Sequence, residues 1–379
     1  MRTLLIAFLT ICAALVQAQT VVVTVKNPAR FNRQHETVTV PLDRLTSLLG
    51  AHDAALLRVR KEGQKTSLPV QVSATDLLFQ CDLPARAAAK YVISAAPLRE
   101  VPHPSLVSGL FAVPREDYAW ENDRIAFRMY GPAMAADVNN GVDVWTKRVR
   151  YPIVAKWYKE AEGSAPGKDT YHQDRGEGAD YFSVGRSLGA GGSGLWIDGK
   201  LVQPGVFTSW KTLATGPIRI SFLLTYTWRL GADTLREERT ISLDAGENLN
   251  RIEVRYIGAR GMAAATVAAG LVKRAGTVPV RDTRECTLSL WGPTTADPAA
   301  GELGTALVFP AGTCTGITED KDQYLMLGRA GAGVPFVYHA GAAWTGNGGF
   351  KGSGDWVAYL HTFVQRIAVP LEVTVTKGK

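Results

Sequence analysis

The sequence predicts an all-β protein: a small N-terminal β-sandwich, then a large antiparallel two-sheet β-sandwich that carries one late helix. Three observations lead there. Apolar residues recur with period two, or in short β-branched runs, along most of the chain, the pattern of strands buried on one or both faces. Charged residues are only 20% of the 379 positions while glycine supplies 38, a balance of many turns and little exposed helix. A clear helical period appears only near the end, where Trp356, Leu360, Phe363, Val364 and Ile367 share one face.

Taken in order, residues 1–18 read as a secretory signal peptide. Arg2 is the positive start, Leu4 to Val16 the apolar segment, and Val16-Gln17-Ala18 the cleavage pattern, so the mature chain is expected to begin near Gln19. A lipoprotein reading of Leu9-Thr10-Ile11-Cys12 is weaker, because Ile11 is not small. The apolar run falls short of the ~20 residues that span a bilayer. A periplasmic or extracellular location is expected, with no membrane partner after cleavage.

Six strand patterns follow within 19–100: Thr20 to Val25, Glu36 to Pro41, Leu56 to Arg60, Leu68 to Ser73, Leu77 to Leu83 and Lys90 to Ala95. They make the small sandwich. Val101-Pro102-His103-Pro104 opens a linker expected over 101–117. The large domain, 118–379, has longer strands: Arg124 to Tyr130, Val206 to Leu213, Ile218 to Arg229, Thr234 to Leu243 and Leu249 to Tyr256. Asp198-Gly199 marks a hairpin, because both residues tolerate the positive φ of a tight turn. Asp244 to Asn248 is a second turn, and further strands are expected at Thr287 to Trp291, Ala306 to Phe309, Tyr324 to Leu327 and Phe336 to His339. Ser353 or Asp355 is available to cap the helix. Gly189-Ala190-Gly191-Gly192-Ser193-Gly194 precedes a strand rather than a helix, so it reads as a flexible loop and not as a phosphate cradle.

A formal charge of +7 suits an acidic partner. The cations are spread along the chain, with the densest cluster at Lys147-Arg148-Val149-Arg150, and no nucleic-acid-binding motif accompanies them. Nucleic acid is therefore not expected, and an acidic small molecule or polysaccharide is. Of four cysteines, removal of the leader leaves Cys81, Cys286 and Cys314. Cys81 reads as core, while Cys286 and Cys314 are equally a disulfide or two buried thiols. The oligomeric state is not legible.

Residues 118–228 hold six of nine tryptophans and seven of twelve tyrosines. Aromatic faces set among charges are what a carbohydrate cleft requires, although for any single ring burial in the core is the simpler reading. The polar segment Tyr171 to Tyr181 places His172 and Tyr181 in a loop where histidine and tyrosine serve as general base and acid. His172, Asp174, Glu177 and Asp180 are also potential metal ligands, but their spacing matches neither HExxH nor an EF-hand. No metal and no cofactor is assigned. Neither a GxSxG elbow nor a papain-type cysteine motif appears, so acyl transfer has no support.

Trp120 to Pro132, Asp143 to Arg148, Lys156-Trp157-Tyr158 and Tyr171 to Gly185 resemble a secreted bacterial family catalogued as a domain of unknown function. Its members occur near enzymes that degrade acidic polysaccharides such as ulvan and pectin, and include an ulvan-oligosaccharide dehydratase. The segment Ile241 to Tyr256 is similar to galactose-mutarotase-like strands. The resemblance implies a carbon–oxygen lyase that removes water from a non-reducing-end uronic acid to leave a 4,5-unsaturated sugar. Such a reaction needs a cation on the carboxylate, a base for the C5 proton and an acid for the leaving hydroxyl. Residue chemistry nominates Arg186, Arg124 or Lys147 as the cation, His172 as base, and Tyr181 or Tyr158 as acid. Trp120, Trp145 and Trp344 are candidate stacking platforms, and His339 a cleft-rim residue. A chain-cleaving polysaccharide lyase is open beside the dehydratase, and a non-catalytic carbohydrate-binding protein and a glycoside hydrolase are the alternatives.

Overall fold

A computed structural model of the chain describes residues 19–95, 103–113, 115–163, 170–231, 233–258, 264–331 and 334–378. The expected signal peptide and Val101-Pro102 lie outside them. The architecture is all-β, built from antiparallel sheets.

Two sheets make the small domain. One pairs Thr20–Lys26 with Ala88–Ala95, which also pairs Leu57–Lys61; the other joins Arg33–Pro41, Asp76–Leu83 and Val70–Val72. Val21, Val23 and Val25 alternate into a core with Val38, Val40, Phe79 and Ile93, as period two dictates. Two boundaries depart from expectation. Glu372–Lys377, assigned to the large domain, returns to pair with Thr20–Lys26 and completes the small one. Ser108–Ala112, inside the expected linker, is an edge strand on Asp117–Glu121.

In the large domain a five-stranded sheet runs Gly178–Asp180, Val142–Lys147, Ile125–Met129, Asp117–Glu121, Ser108–Ala112. A second holds Lys200–Val202, Ala190–Ile197, Ala264–Val272, Gln323–Gly331 and Cys314–Glu319. A bridge between Val142 and Gly189 connects the two. Facing them is an eight-stranded sheet from Ser209–Ala214 to Val278–Asp282, and one core spans all three, including Phe127, Val144, Val267, Phe222, Leu290 and Tyr338.

The glycine-rich run expected as a flexible loop is the buried strand Ala190–Ile197. Its glycines serve close packing: a Cβ on Gly191, at φ +123°, would lie 2.2 Å from that of Ala340. The Asp198-Gly199 turn has positive φ at both residues, as its sequence requires.

The described residues form three α-helices rather than one: α1 (Leu42–Leu49), α2 (Val154–Ala161) and α3 (Ser353–Ala368). Helix α3 lays Trp356, Leu360 and Phe363 on the outer face of the eight-stranded sheet, against Leu249, Trp291, Val308 and Ala343. Gly352 occupies the N-cap position, and no side chain caps the helix; Asp355 instead accepts from the Lys351 amide at 2.8 Å. Helix α2 covers the outer face of the first five-stranded sheet through Val154, Trp157 and Ala161. Cys81, Cys286 and Cys314 are free thiols. The last two are within hydrogen-bond contact of each other.

Candidate active site

Strand Gly178–Asp180 pairs with Val142–Lys147 in a register that sets Asp180 opposite Trp145 and Gly178 opposite Lys147. Residues just beyond these strands, Tyr181 and Arg148, thereby meet over Trp344. The Tyr181 and Trp344 ring centres are 6.4 Å apart, and the Arg148 guanidinium stands 4.6 Å over the Trp344 ring. Arg148 donates through Nε to the Asp174 carboxylate at 2.7 Å and through Nη1 to the Gly346 carbonyl at 2.7 Å.

Arg148, Asp174, Gly176, Tyr181, Thr295 and Asp297 line a cavity of about 560 Å³. Tyr181 and Thr295 are also walls of a second cavity of about 890 Å³, which contains Val184, Val272, Arg274, Pro293, Pro298 and Glu302. The two cavities adjoin at these shared residues. Asp297 opens the short turn Pro298–Ala300 and accepts from the Ala299 amide at 2.9 Å.

The electrostatics are uneven. Burial pushes the Tyr181 phenol above its usual pKa; Asp174 and Asp297 add to this and Arg148 opposes it. Tyr181 is thus held protonated at neutral pH. Burial alone would raise Asp174, but its bonds from Arg148 and the Gly178 and Gly176 amides outweigh that and hold it low. Arg274 donates to the carbonyls of Pro293 at 3.0 Å and Leu303 at 2.7 Å. Burial pulls it down to about 10, and among the described residues no carboxylate pairs with it. Glu302 is occupied on one oxygen by Trp291 Nε1 at 2.9 Å.

A separate polar cluster lies on the outer face of the same five-stranded sheet, beneath α2. Buried Arg128 contacts Asp143 at 2.6 Å, Asp180 at 2.8 Å and Asp117 at 3.8 Å. Tyr158 donates to Asp117 at 3.1 Å, and Trp145 Nε1 to Asp143 at 2.9 Å. Tyr171 stacks on Trp145 at 4.6 Å. His172 Nδ1 is 3.0 Å from the Asp180 carbonyl and 3.6 Å from its carboxylate.

The predicted site residues therefore divide. Tyr181 lies in the cleft, whereas Trp344 lines neither cavity and is fully buried under Arg148, so it supports a cation rather than stacking on a ligand. His172, Tyr158 and Trp145 belong to the outer cluster and are absent from the walls of both cavities. Arg186 is exposed, donates to the Ala136 carbonyl and lines neither cavity. Arg124 lines neither cavity, and its Nε is buried without a partner.

Three expectations are corrected outright by burial. Trp120 is a core residue, its Nε1 donating to Asn250 at 2.7 Å. Lys147 is sealed in an ion pair with Glu121 at 2.5 Å. His339 is no rim residue: it is packed edge-on to Phe363, and burial with nearby Arg251 pushes its pKa down to about 3. Of the four potential metal ligands, Asp174 pairs with Arg148, Glu177 with Lys156 and Asp180 with Arg128, while His172 lies against Asp180. Sequence reasoning missed Arg274 and Asp297, which lie outside the aromatic-rich segment. Arg148 was visible as part of the densest cationic cluster.

Residues 25–373 match the family described as Domain of unknown function (DUF4861). The chain belongs to this family. Among its relatives, the uncharacterized protein P7 of Formosa agariphila is 35% identical over 275 residues, covering 69% of this chain and 67% of that protein. The solved structure of a protein in glycosyl hydrolase family 38 from Enterococcus faecalis aligns with a TM-score of 0.53 at 8% identity, over 95% of this chain and 48% of the other. This DUF4861 chain spans about half the length of that structure, and the likeness is one of fold.

Proposed function

We propose that this DUF4861 protein is a carbon–oxygen lyase that removes water from the terminal uronic acid of acidic oligosaccharides, with the Tyr181 cleft as its site. The observation that carries the reading is the grouping of a protonated phenol, a cation and a carboxylate around one 560 Å³ cavity: Tyr181, Arg148 and Asp297. Arg148 offers its guanidinium to the substrate carboxylate, which makes the C5 proton removable. Asp297 takes that proton, the electron pair forms the C4–C5 double bond as the C4–O bond breaks, and Tyr181 protonates the departing 4-hydroxyl to release water. Solvent then returns the proton from Asp297 to Tyr181. His172 becomes a positioning residue: its ring meets the carbonyl of Asp180, next to Tyr181. Export of the protein, where acidic polysaccharides are met, belongs to the same proposal.

Incubation with uronic-acid oligosaccharides of ulvan, pectin and glucuronan types, read by ultraviolet absorbance and mass spectrometry, tests it. The expected product is unsaturated, one water lighter and undivided in length. Shortened unsaturated products would identify a chain-cleaving lyase, reducing ends without unsaturation a hydrolase, and saturable binding with no product a binding protein. Each of these would replace the dehydratase.

A further inference from the structure

Among the described residues Arg274 is the unpaired cation of the larger compartment, whose walls also include Glu302, held on one oxygen by Trp291 Nε1 at 2.9 Å. Its guanidinium is anchored to the carbonyls of Pro293 and Leu303 at 3.0 and 2.7 Å, sits 5.6 Å over the Phe182 ring and has a buried Nε without a hydrogen-bond partner. Among the described residues no carboxylate neutralises it. The adjacent Lys273 is spent otherwise, on the Asp320 carbonyl at 2.7 Å and Glu319 at 3.4 Å. A part-buried cation without a counter-ion is costly, and the cost is recovered when a ligand supplies the anion. The other walls suit a sugar ring: Val184, Val272, Pro293 and Pro298 present apolar surface, as carbohydrate and small-molecule sites commonly do. Tyr181 and Thr295 border both compartments, so an oligosaccharide whose terminal ring fills the smaller one runs on into the larger.

We infer that the larger compartment is a subsite for the second sugar of the substrate, and that Arg274 selects for an anionic group, carboxylate or sulfate, on that sugar. The inference rests on the proposed placement of the terminal uronic acid beside Tyr181. A guanidinium recognises either oxyanion through paired N–H donors, which a lysine cannot reproduce.

Equilibrium binding to the full chain tests it without requiring turnover. The probes are a glucuronate trisaccharide, the same trisaccharide methyl-esterified on its second ring, and one sulfated there in place of the carboxylate. The free acid is expected to bind at least about tenfold tighter than the ester, the scale of one charge-assisted hydrogen bond. Arg274→Gln should abolish that preference, and Arg274→Lys should retain only part of it; a melting temperature close to wild type confirms that each variant is folded. The sulfated probe separates the two anions: binding equal to the acid marks a general oxyanion subsite, and weaker binding marks a carboxylate subsite. Equal binding of acid and ester by the wild type, a preference that survives in Arg274→Gln, or no binding of any probe would overturn the inference. Discrimination without any dehydrated product would instead leave this subsite standing and refute the proposed reaction.

Discussion

Asp117 shows how far a single residue can be pushed by its surroundings. Burial raises its carboxyl to about 6, against the lowering effects of Arg128 and the Tyr158 hydrogen bond. A carboxyl whose folded pKa lies above its unfolded one contributes stability that is complete below about pH 4 and lost as pH rises through about 6. Asp117→Asn keeps the neutral form at every pH, so it should melt higher than wild type at pH 7.5, with the gap closing near pH 4. A lower melting temperature for the variant at pH 7.5 would show that the ionised form is favoured. At this scale the sequence was a partial guide. Tyr181 was legible as a chemistry-bearing residue, yet Trp120, Trp344, Lys147 and His339, read in the same way, are sealed in the core or in an ion pair. Residue type states what a side chain can do, while burial and partners decide whether it does it, and those depend on contacts distant in sequence.

Elements were easier to read where side chains alternate. The hairpin at Asp198-Gly199 and the valines of Thr20–Lys26 declare themselves through turn chemistry and period two. Helices α1 and α2 did not, because eight residues each are only about two turns and offer too few repeats of the 3.6 period. The strand Ala190–Ile197 was hidden for the opposite reason, since glycines have no side-chain pattern to display. Its glycines are dictated by close approach of neighbouring backbone and by Ala340. Gly191→Ala should therefore destabilise the protein by at least about 2 kcal/mol, through overpacking and strain at positive φ, measured by chemical denaturation. A variant within about 0.5 kcal/mol of wild type would mean that the strand relaxes freely.

On the scale of the whole molecule, the small domain is closed by the last strand of the chain and tied to the large one by polar contacts. Arg366 on α3 bonds Glu36 of the small domain at 2.6 Å and Glu247 of the large one at 2.5 Å, and Gln71 Nε2 donates to the Arg219 carbonyl at 2.8 Å. Arg366→Met leaves the largely buried Glu247 without its cation and Glu36 with Arg33 alone at 3.2 Å, and should cost about 3 kcal/mol, read as a lower denaturation midpoint; an unchanged midpoint would show that the two domains hold together without it. The division into small and large sandwiches was legible from strand length, whereas the return of Glu372–Lys377 to Thr20–Lys26 was not, because pairing across the full chain leaves no local mark. The same large sandwich brings Tyr181, Arg148 and Asp297 to one cavity from three separated segments. The most direct test of that assembly is the turnover of a uronic-acid oligosaccharide by Tyr181→Phe. At least a roughly hundredfold loss of dehydrated product, with the melting temperature of the wild type retained, is the predicted result; wild-type turnover by the variant would contradict it.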